Sequence, residues 1–266
     1  MSKPKIIFFD IDGTLIEKKK SITPKMLETL HALQDNGIMI CIASGRPPVQ
    51  LPKLGVDFDA YLTFNGSYCY NDQDIVFDNP LRQGDVLQMI QNAQKINRPL
   101  AVATKTRIAA NGVDEDLKEY FAIGGTDLKV APDFDVVVDQ DTVYQIMVGC
   151  REKDYDRLVA NTQNAKVTAW WDRAADIIPA TGSKGVAIEK VLDYYQIPVS
   201  EAIAFGDGGN DIEMLKTVGH GVAMGNATDD VKEIADDICG SVQDDGIFTY
   251  CKKQKIGEPK KFIFLE

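Results

Sequence analysis

The sequence predicts an α/β protein, with a doubly wound, Rossmann-like parallel sheet and an inserted α+β domain. Three observations lead to this class. Short, unbroken apolar runs alternate with amphipathic helical segments at both ends of the chain, as in strands buried on both faces of a parallel sheet. The middle of the chain changes to alternating segments that resemble hairpins. The length of 266 residues allows one large core and a smaller second domain.

The first part of the chain supplies strands and one helix of the parallel sheet. Strands are predicted at residues 5–9, 38–43 and 60–64, which stop at DIDGT, SGR and NG. A helix lies between the first two strands, because Thr23 can cap it, Pro24 fits its first turn and Gly37 can end it. This order, strand, helix, strand, is the unit of a doubly wound sheet.

The same pattern resumes near the C-terminal end. Ser183 can cap a helix. The apolar face of that helix is predicted to comprise Ile188, Val191, Leu192 and Tyr195. A strand at residues 202–205 stops at GDGGND, and a helix around residues 211–218 leads to the apolar run GVAM. Both terminal parts therefore belong to one parallel sheet.

The middle of the chain predicts a separate α+β domain. Helices are expected at residues 85–96, 114–121 and 154–163; hairpins at 100–104 with 107–111 and at 166–171 with 175–179; and further strands at 136–138 and 143–148. The first of these helices should bury Leu87, Ile90 and Ala93. The core domain is therefore predicted at residues 1–81 and 182–266, and the inserted domain at residues 82–181.

Composition restricts the partners. The net charge of −11 and the pI of about 4.7 argue against nucleic acid or an anionic membrane as a partner. An anionic ligand would therefore need local cations or a metal. The five cysteines include no C-x-x-C pair and are expected to be buried free thiols. With no signal-peptide pattern and no long apolar span, a cytoplasmic location is expected.

Polar clusters follow four of the predicted strands. They are Asp10 with Asp12, Ser44, Asn65, and Asp207 with Asp211. Ligands bind at the carboxyl ends of the strands in an open α/β sheet, so these side chains should converge on one crevice. Adjacent carboxylates repel each other unless a cation lies between them. Carboxylates that converge without a nearby histidine favour a hard divalent ion, and Mg²⁺ fits best.

Lys184 is placed unusually for a lysine. It lies in the first turn of a predicted helix, where the helix dipole disfavours a cation. It could simply be solvated, or it could meet an anion that the helix N-terminus also attracts. Ser44 and Gly45 add a hydroxyl and an unhindered backbone N–H, which are donors that a phosphate group requires.

These motifs resemble a known enzyme superfamily. DIDGTL at residues 10–15, SGR at 44–46, Lys184 and GDGGND at 206–211 resemble, in order and spacing, the four motifs of the haloacid dehalogenase superfamily. Asn65-Gly66, a cap domain between the second and third motifs, and VAMGNA at 222–227 look like the Cof-type sugar phosphatases of subfamily IIB. The resemblance covers residues 1–81 and 182–250. Gly209 departs from it, because many relatives carry a larger residue there.

The resemblance implies catalytic and metal-binding roles. Asp10 would attack phosphorus and become an aspartyl phosphate, and Asp12 would protonate the leaving alcohol and then activate water. The Mg²⁺ cofactor would be held by Asp10, by the main-chain carbonyl of Asp12 and by Asp207, with Asp211 as an auxiliary ligand.

Further residues would bind the phosphoryl group or the substrate. By the same resemblance, Ser44, Lys184 and Asn210 would hold phosphoryl oxygens, helped by backbone N–H groups near Ile11 and Gly45. Asn65 and Gly66 complete the predicted binding set. Arg46 could either touch the substrate or only brace its loop.

The expected function is hydrolysis of small phosphorylated metabolites, with sugar phosphates first. The alternatives are a phosphomutase of the same superfamily and a phosphosugar-binding protein without turnover. Within the cap, Trp170 or Trp171 could stack on a sugar, but on a regular strand their rings face opposite sides and one would join the cap core. Either a monomer or a homodimer is expected. Within the basic C-terminal segment, residues 252–266, FIFL at residues 262–265 could add an edge strand or meet another subunit, and a disordered tail is the alternative.

Overall fold

A computed structural model of the chain describes residues 3–17 and 21–257. The possible edge strand at residues 262–265 lies outside these ranges. The described strands, in chain order, are β1 Ile6–Phe9, β2 Met39–Ala43, β3 Ala60–Thr63, β4 Tyr68–Tyr70, β5 Ile75–Asp78, β6 Leu100–Ala103, β7 Ile108–Ala110, β8 Gln145–Val148, β9 Lys166–Trp171, β10 Ala174–Ile178, β11 Ala202–Gly206, β12 His220–Ala223 and β13 Asp237–Ile238.

The described α-helices connect these strands. They are α1 Pro24–Asp35, α2 Gln83–Lys95, α3 Glu115–Ile123, α4 Phe134–Gln140, α5 Tyr155–Leu158, α6 Lys184–Tyr195, α7 Ile212–Thr217, α8 Asp229–Ile234 and α9 Gly246–Gln254. Within the described ranges, no helix is both long and apolar enough to cross a lipid bilayer. All five cysteines are buried free thiols, as predicted.

The larger sheet has the order β13-β12-β11-β1-β2-β3-β4-β5. The pairings from β13 through to β3 are parallel, and β4 and β5 continue the sheet antiparallel. In its centre, Ile6 lies opposite Ala202 on one side and Met39 on the other. The carboxyl ends of β1, β2, β3 and β11 therefore meet at one edge, which confirms the predicted doubly wound α/β core.

The smaller sheet is antiparallel and has the order β7-β6-β8-β10-β9. Its strands and helices α2 to α5 lie between residues 83 and 178. This is the predicted inserted α+β cap domain, with both hairpins in their predicted positions. The boundaries at residues 81/82 and 181/182 stay a prediction.

Helix capping follows the sequence closely. The Thr23 hydroxyl accepts a hydrogen bond from the Met26 N–H at 3.1 Å, and the Ser183 hydroxyl accepts one from the Val186 N–H at 3.1 Å. Each cap satisfies a backbone donor that the first turn leaves without a partner. The cap at Ser183 also fixes the residue at which α6 begins, and so the position of Lys184.

Three predictions within the cap are wrong. Residues 136–138 lie in α4 and form no strand, because Phe134, Val137 and Val138 pack at helical spacing, and this packing outweighs the strand propensity of valine. The helix predicted at residues 154–163 is shorter in the structure, where α5 covers only Tyr155–Leu158. For α2, the prediction fails at Leu87, which is 48% exposed, while Val86 and Met89 are fully buried; Ala93 is buried and Ile90 packs against the core, as predicted.

Candidate active site

A buried lysine joins two carboxylates at the carboxyl edge of the larger sheet. Asp10 directly follows β1, Lys184 opens α6, and Asp211 lies just after β11. The Lys184 Nζ donates to Asp10 Oδ1 and to Asp211 Oδ1, each at 2.6 Å, and the lysine side chain has no exposed surface. A lysine at a helix N-terminus is therefore explained here by two anionic partners.

The ionisation of these groups is shifted by burial and by their mutual charges. Burial raises the pKa of Asp10 well above its usual value; the charge of Lys184 opposes this rise, and the charges of Asp211 and Asp207 add to it. Burial acts to lower the pKa of Lys184, but the charges of Asp10 and Asp211 outweigh it and raise that pKa. Lys184 is therefore charged, and it faces several acidic groups whose mutual repulsion and burial favour proton uptake.

Three carboxylates form a compact oxygen cluster. Ligand oxygens of Asp10, Asp207 and Asp211 lie within 4.8 Å of one another. Thr14 donates to Asp207 Oδ1 at 2.9 Å and Asn226 Nδ2 to Asp207 Oδ2 at 3.3 Å, so the carboxylate is oriented from both sides. Burial, followed by the charge of Asp211, raises the pKa of Asp207 to about 7. An all-oxygen set with uncompensated charge fits a hard divalent cation such as Mg²⁺.

Two glycines are required by close contacts around this cluster. Gly13, at φ +93°, has no room for a side chain, because a Cβ there would lie 2.2 Å from Asp207 Oδ2. Gly66, at φ +91°, would bring a Cβ to 2.3 Å from the Ser183 carbonyl oxygen. Gly66 therefore permits the start of α6 to pack against the end of β3.

Arg46 is paired with Asp12. The Arg46 Nε and Nη2 donate to the two carboxylate oxygens of Asp12, each at 2.7 Å, and Nη1 donates to the Gln50 carbonyl at 3.0 Å. This bidentate geometry fixes the orientation of the Asp12 carboxylate. The Asp12 carboxylate is not one of the three clustered carboxylates, but its charge acts to raise the pKa of Asp10 and of Asp207. Arg46 thus braces its loop through Gln50 and also lines the cavity, so its contact with substrate stays a prediction.

The phosphate-binding candidates Ser44 and Asn65 differ in the hydrogen-bond partners of their side chains: those of Ser44 lie within its own loop, and those of Asn65 include the cap domain. Ser44 is buried, and its Oγ accepts a hydrogen bond from the Arg46 N–H at 3.1 Å. Asn65 Oδ1 accepts from Asn210 Nδ2 at 2.9 Å, whereas Asn65 Nδ2 donates across the domain interface to Asp176 Oδ2 at 2.9 Å. The Asn65 amide therefore joins the core to the cap.

A cavity of about 160 Å³ lies between the sheet edge and the cap. Its core side is lined by Asp10, Asp12, Ser44, Gly45, Arg46, Pro47, Gln50, Asp207, Gly208, Asn210 and Asp211. Its cap side is lined by Tyr120, Phe121, Ile123, Gly124, Trp170, Trp171 and Asp176. The predicted residues Ile11, Asn65, Gly66 and Lys184 are buried and are not among the lining residues. The cavity thus joins the acidic cluster to an aromatic surface of the cap.

Both tryptophans line this cavity, so the predicted placement of their rings on opposite sides is wrong. Trp171 pairs with Ala174, and Ala169 with Ala175, so Trp170 has no partner in the β9–β10 register. Such a bulge reorients side chains locally. The two ring centroids are 6.4 Å apart, with 29° between the ring planes.

Several residues at the site escaped the sequence analysis. Asp176 is 1% exposed within the apolar strand β10, and burial raises its pKa to about 7. The Tyr120 hydroxyl donates to Asp176 Oδ1 at 2.6 Å. Gln145 Nε2 donates to the Gly45 carbonyl at 3.2 Å, and Gln50 Nε2 to Thr126 Oγ1 at 3.0 Å. A lone acid inside an apolar strand was the signal available for Asp176.

Comparison with known families decides the classification of this fold and site. The family model of the haloacid dehalogenase-like hydrolases matches residues 7–250. The chain belongs to this family. The HAD subclass IIB sugar phosphatase BT4131 is 28% identical, with a TM-score of 0.85 over 95% of this chain and 99% of that one. The phosphatase BT1666 from Bacteroides thetaiotaomicron is 26% identical, with a TM-score of 0.88 over 96% of each chain.

Several curated relatives of this HAD hydrolase are named as phosphatases. The putative phosphatase YkrA of Bacillus subtilis is 30% identical over 247 residues, 91% of this chain and 95% of YkrA. The 5-amino-6-(5-phospho-D-ribitylamino)uracil phosphatase YitU of the same organism is 30% identical over 268 residues, 95% of this chain and 98% of YitU. The chain is therefore a phosphatase-type HAD hydrolase of the Cof-type subclass IIB, as its motifs predicted.

Proposed function

We propose that the chain is a Mg²⁺-dependent phosphatase that hydrolyses small phosphomonoesters through an aspartyl phosphate on Asp10. One observation carries this proposal. The fully buried Lys184 donates a hydrogen bond to Asp10 Oδ1. Asp10 Oδ2 accepts no hydrogen bond from residues 3–17 or 21–257, and Asp10 lines the cavity. One carboxylate oxygen is thus anchored and the other is free to act as a nucleophile.

In the first step, Asp10 Oδ2 attacks phosphorus and the bond from phosphorus to the ester oxygen breaks. Asp12 must carry a proton in this step, so one of its oxygens must turn from its contact with Arg46 and donate that proton to the leaving oxygen. Lys184 contacts Asp10 Oδ1 and Ser44 lines the cavity, which supports a role for both in stabilising phosphoryl oxygens, together with Asn210 and backbone N–H groups near Ile11 and Gly45. The product is an acyl phosphate.

In the second step, Asp12 acts as the base. It takes a proton from a water molecule, whose oxygen attacks phosphorus and releases the Asp10 carboxylate and inorganic phosphate. Asp12 thereby regains the proton that it gave to the leaving group. Hydrogen bonds Asn65–Asp176 and Gln50–Thr126 join the cap to the core beside the cavity, which supports exclusion of bulk water from this intermediate.

The predicted Mg²⁺ ligands are Asp10, Asp207 and the main-chain carbonyl of Asp12, with Asp211 as an auxiliary. Asp211 is already committed, because its Oδ2 accepts the Asp207 and Gly208 N–H groups at 2.9 and 3.0 Å. When bound, the ion supplies positive charge that offsets the phosphoryl oxygens and the surplus of carboxylates.

Sugar phosphates are the first proposed substrates, and BT4131 is described as a sugar phosphatase. Descriptions of YitU and of the pyridoxal phosphate phosphatase YbhA of Escherichia coli widen the candidates to other phosphorylated metabolites. A phosphomutase and a phosphosugar-binding protein without turnover remain the alternatives. Cytoplasmic location and the choice between monomer and homodimer stay predictions.

The test is phosphate release from hexose 1-phosphates and p-nitrophenyl phosphate, with Mg²⁺ or with chelator. We expect release only with Mg²⁺, and no release from Asp10→Asn. Because its amide is nearly isosteric with the carboxyl group, this variant should keep the wild-type circular dichroism spectrum and a cooperative melting transition. Formation of an isomeric hexose phosphate without free phosphate would favour the phosphomutase. Binding of phosphosugars with no hydrolysis of any ester would favour the protein without turnover.

A further inference from the structure

The cap side of the cavity is mainly aromatic and apolar. Tyr120, Phe121, Ile123, Trp170 and Trp171 form this surface, which we call the aromatic wall. The ring of Tyr120 meets Trp170 edge to face, with centroids 5.5 Å apart and 65° between the planes. Asp176 is the one charged side chain on the cap side of the described lining. Planar apolar faces of this kind bind another planar ring by stacking.

Neighbouring contacts hold the aromatic wall in place. The Arg173 guanidinium carbon lies 4.2 Å from the Trp171 ring centroid, and Arg173 Nη1 donates to Glu119 Oε2 at 2.6 Å. On the other side, Tyr120 is fixed by its hydrogen bond to the buried Asp176. A wall whose rings are already oriented loses little conformational entropy when a ligand binds.

The charge of the lining opposes a second anionic group on the substrate. Its acids are Asp10, Asp12, Asp176, Asp207 and Asp211. Arg46 is the one cationic side chain among the described lining residues, and both carboxylate oxygens of Asp12 already accept its hydrogen bonds. A bisphosphate or a phosphorylated carboxylic acid would therefore place its second anion beside carboxylates and aromatic rings.

Polarity favours a planar ring over a free sugar. The cavity of about 160 Å³ extends from Asp10 to the aromatic wall and must hold the phosphoryl group as well, so its volume favours a small leaving group. A sugar can stack on tryptophan, but its hydroxyls need several hydrogen-bonding partners when buried. Both oxygens of Asp176 already accept hydrogen bonds, from Tyr120 and Asn65.

We infer that the preferred substrate is a monophosphate ester whose leaving group carries a single planar ring, uncharged or protonated, stacked on the aromatic wall. This inference rests on the proposed function, which it narrows to a substrate class. Trp170 and Trp171 are then the residues that determine specificity. Both rings reach the cavity because of the bulge in β9.

The test compares esters that differ in ring planarity. Benzyl phosphate and cyclohexylmethyl phosphate have the same carbon framework and leaving alcohols of similar acidity. Ribose 5-phosphate is the control whose leaving group has no planar ring, and fructose 1,6-bisphosphate is the control that carries a second anion. With Mg²⁺, we expect kcat/KM for benzyl phosphate to exceed each of the others by about tenfold or more. Trp171→Leu should bring the benzyl to cyclohexylmethyl ratio close to one, whereas Trp171→Phe should largely preserve it.

A binding measurement separates this inference from the catalytic proposal. The chain contains two tryptophans and both line the cavity, so 4-nitrobenzyl phosphate should quench the fluorescence of Asp10→Asn, and ribose 5-phosphate should not. Equal kcat/KM for benzyl and cyclohexylmethyl phosphate, or a higher value for ribose 5-phosphate, would overturn the inference about the ring but would not contradict the proposed phosphatase activity. If no ester is hydrolysed, the proposed function fails, and quenching alone then decides whether the ring site exists.

Discussion

Lys184→Met should destabilise the protein in a pH-dependent way. Methionine fills most of the volume of the lysine stem but removes the cation that lies 2.6 Å from both Asp10 and Asp211. Loss of one partner from a buried ion pair costs about 3–5 kcal/mol, because the remaining charges have no compensation. Protonation of Asp10, whose pKa burial already raises, limits this cost at low pH.

The sign of the pH dependence follows from the pKa shifts. The raised pKa of Lys184 keeps the lysine charged from pH 5 to pH 8, so the lysine itself does not titrate in this window. In Lys184→Met, the folded state holds a proton on Asp10 to higher pH than the unfolded chain does, so the stability of the variant falls as pH rises. Because the charge of Lys184 lowers the pKa of Asp10 in wild type, wild type loses less stability than the variant as pH rises, so the deficit should be about 3–5 kcal/mol at pH 8 and smaller at pH 5.

Urea unfolding with chelator at the two pH values measures this deficit. Lys190→Met is the matched control, because Lys190 is an exposed lysine on the same helix and its loss should change the unfolding free energy by less than about 0.5 kcal/mol. A deficit below 1 kcal/mol for Lys184→Met, or one that grows as pH falls, would refute the electrostatic reasoning.

Three further predictions concern the rest of the site. Arg46→Lys should lower kcat by about tenfold or more with little change in melting temperature, because lysine cannot make the bidentate contact to Asp12; unchanged kcat would contradict this. Asp176→Asn should gain stability relative to wild type, by up to about 4 kcal/mol, as pH rises from 4 to 8, because the wild-type carboxyl, with its pKa raised to about 7, loses its proton there; a flat difference in urea unfolding would count against it. Mg²⁺ should raise the melting temperature more at pH 8 than at pH 5, because Asp207, with its pKa raised to about 7, is an ionised ligand at pH 8 and is protonated at pH 5. Equal shifts would argue against this carboxylate cluster as the metal site.

The core and its chemical residues were accessible from the sequence because local signals agree with the fold. Apolar runs that end in polar clusters located the edge of the sheet, and the caps Thr23 and Ser183 located two helices. The unusual position of Lys184 was informative because helix electrostatics disfavour it. These signals lie within a few residues of the features that they predict.

The cap was predicted less well because its features depend on tertiary contacts. The valines of residues 136–138 have high strand propensity, and only packing against the smaller sheet makes them helical. The bulge at Trp170 reverses the expected direction of one ring, and no turn residue marks it in the sequence. The partners of Asp176, Tyr120 and Asn65, are separated from it by 56 and 111 residues.

Direct detection of the phosphorylated residue tests the central claim about Asp10. Asp12→Asn lacks the proposed base for the second step, and p-nitrophenyl phosphate needs no acid in the first. After rapid mixing with Mg²⁺ and an acid quench, we expect a burst of one nitrophenolate per active site and one phosphate on the peptide that contains Asp10. A burst with phosphate on another residue, or turnover of wild type with no phosphorylated peptide under these conditions, would contradict the aspartyl-phosphate mechanism.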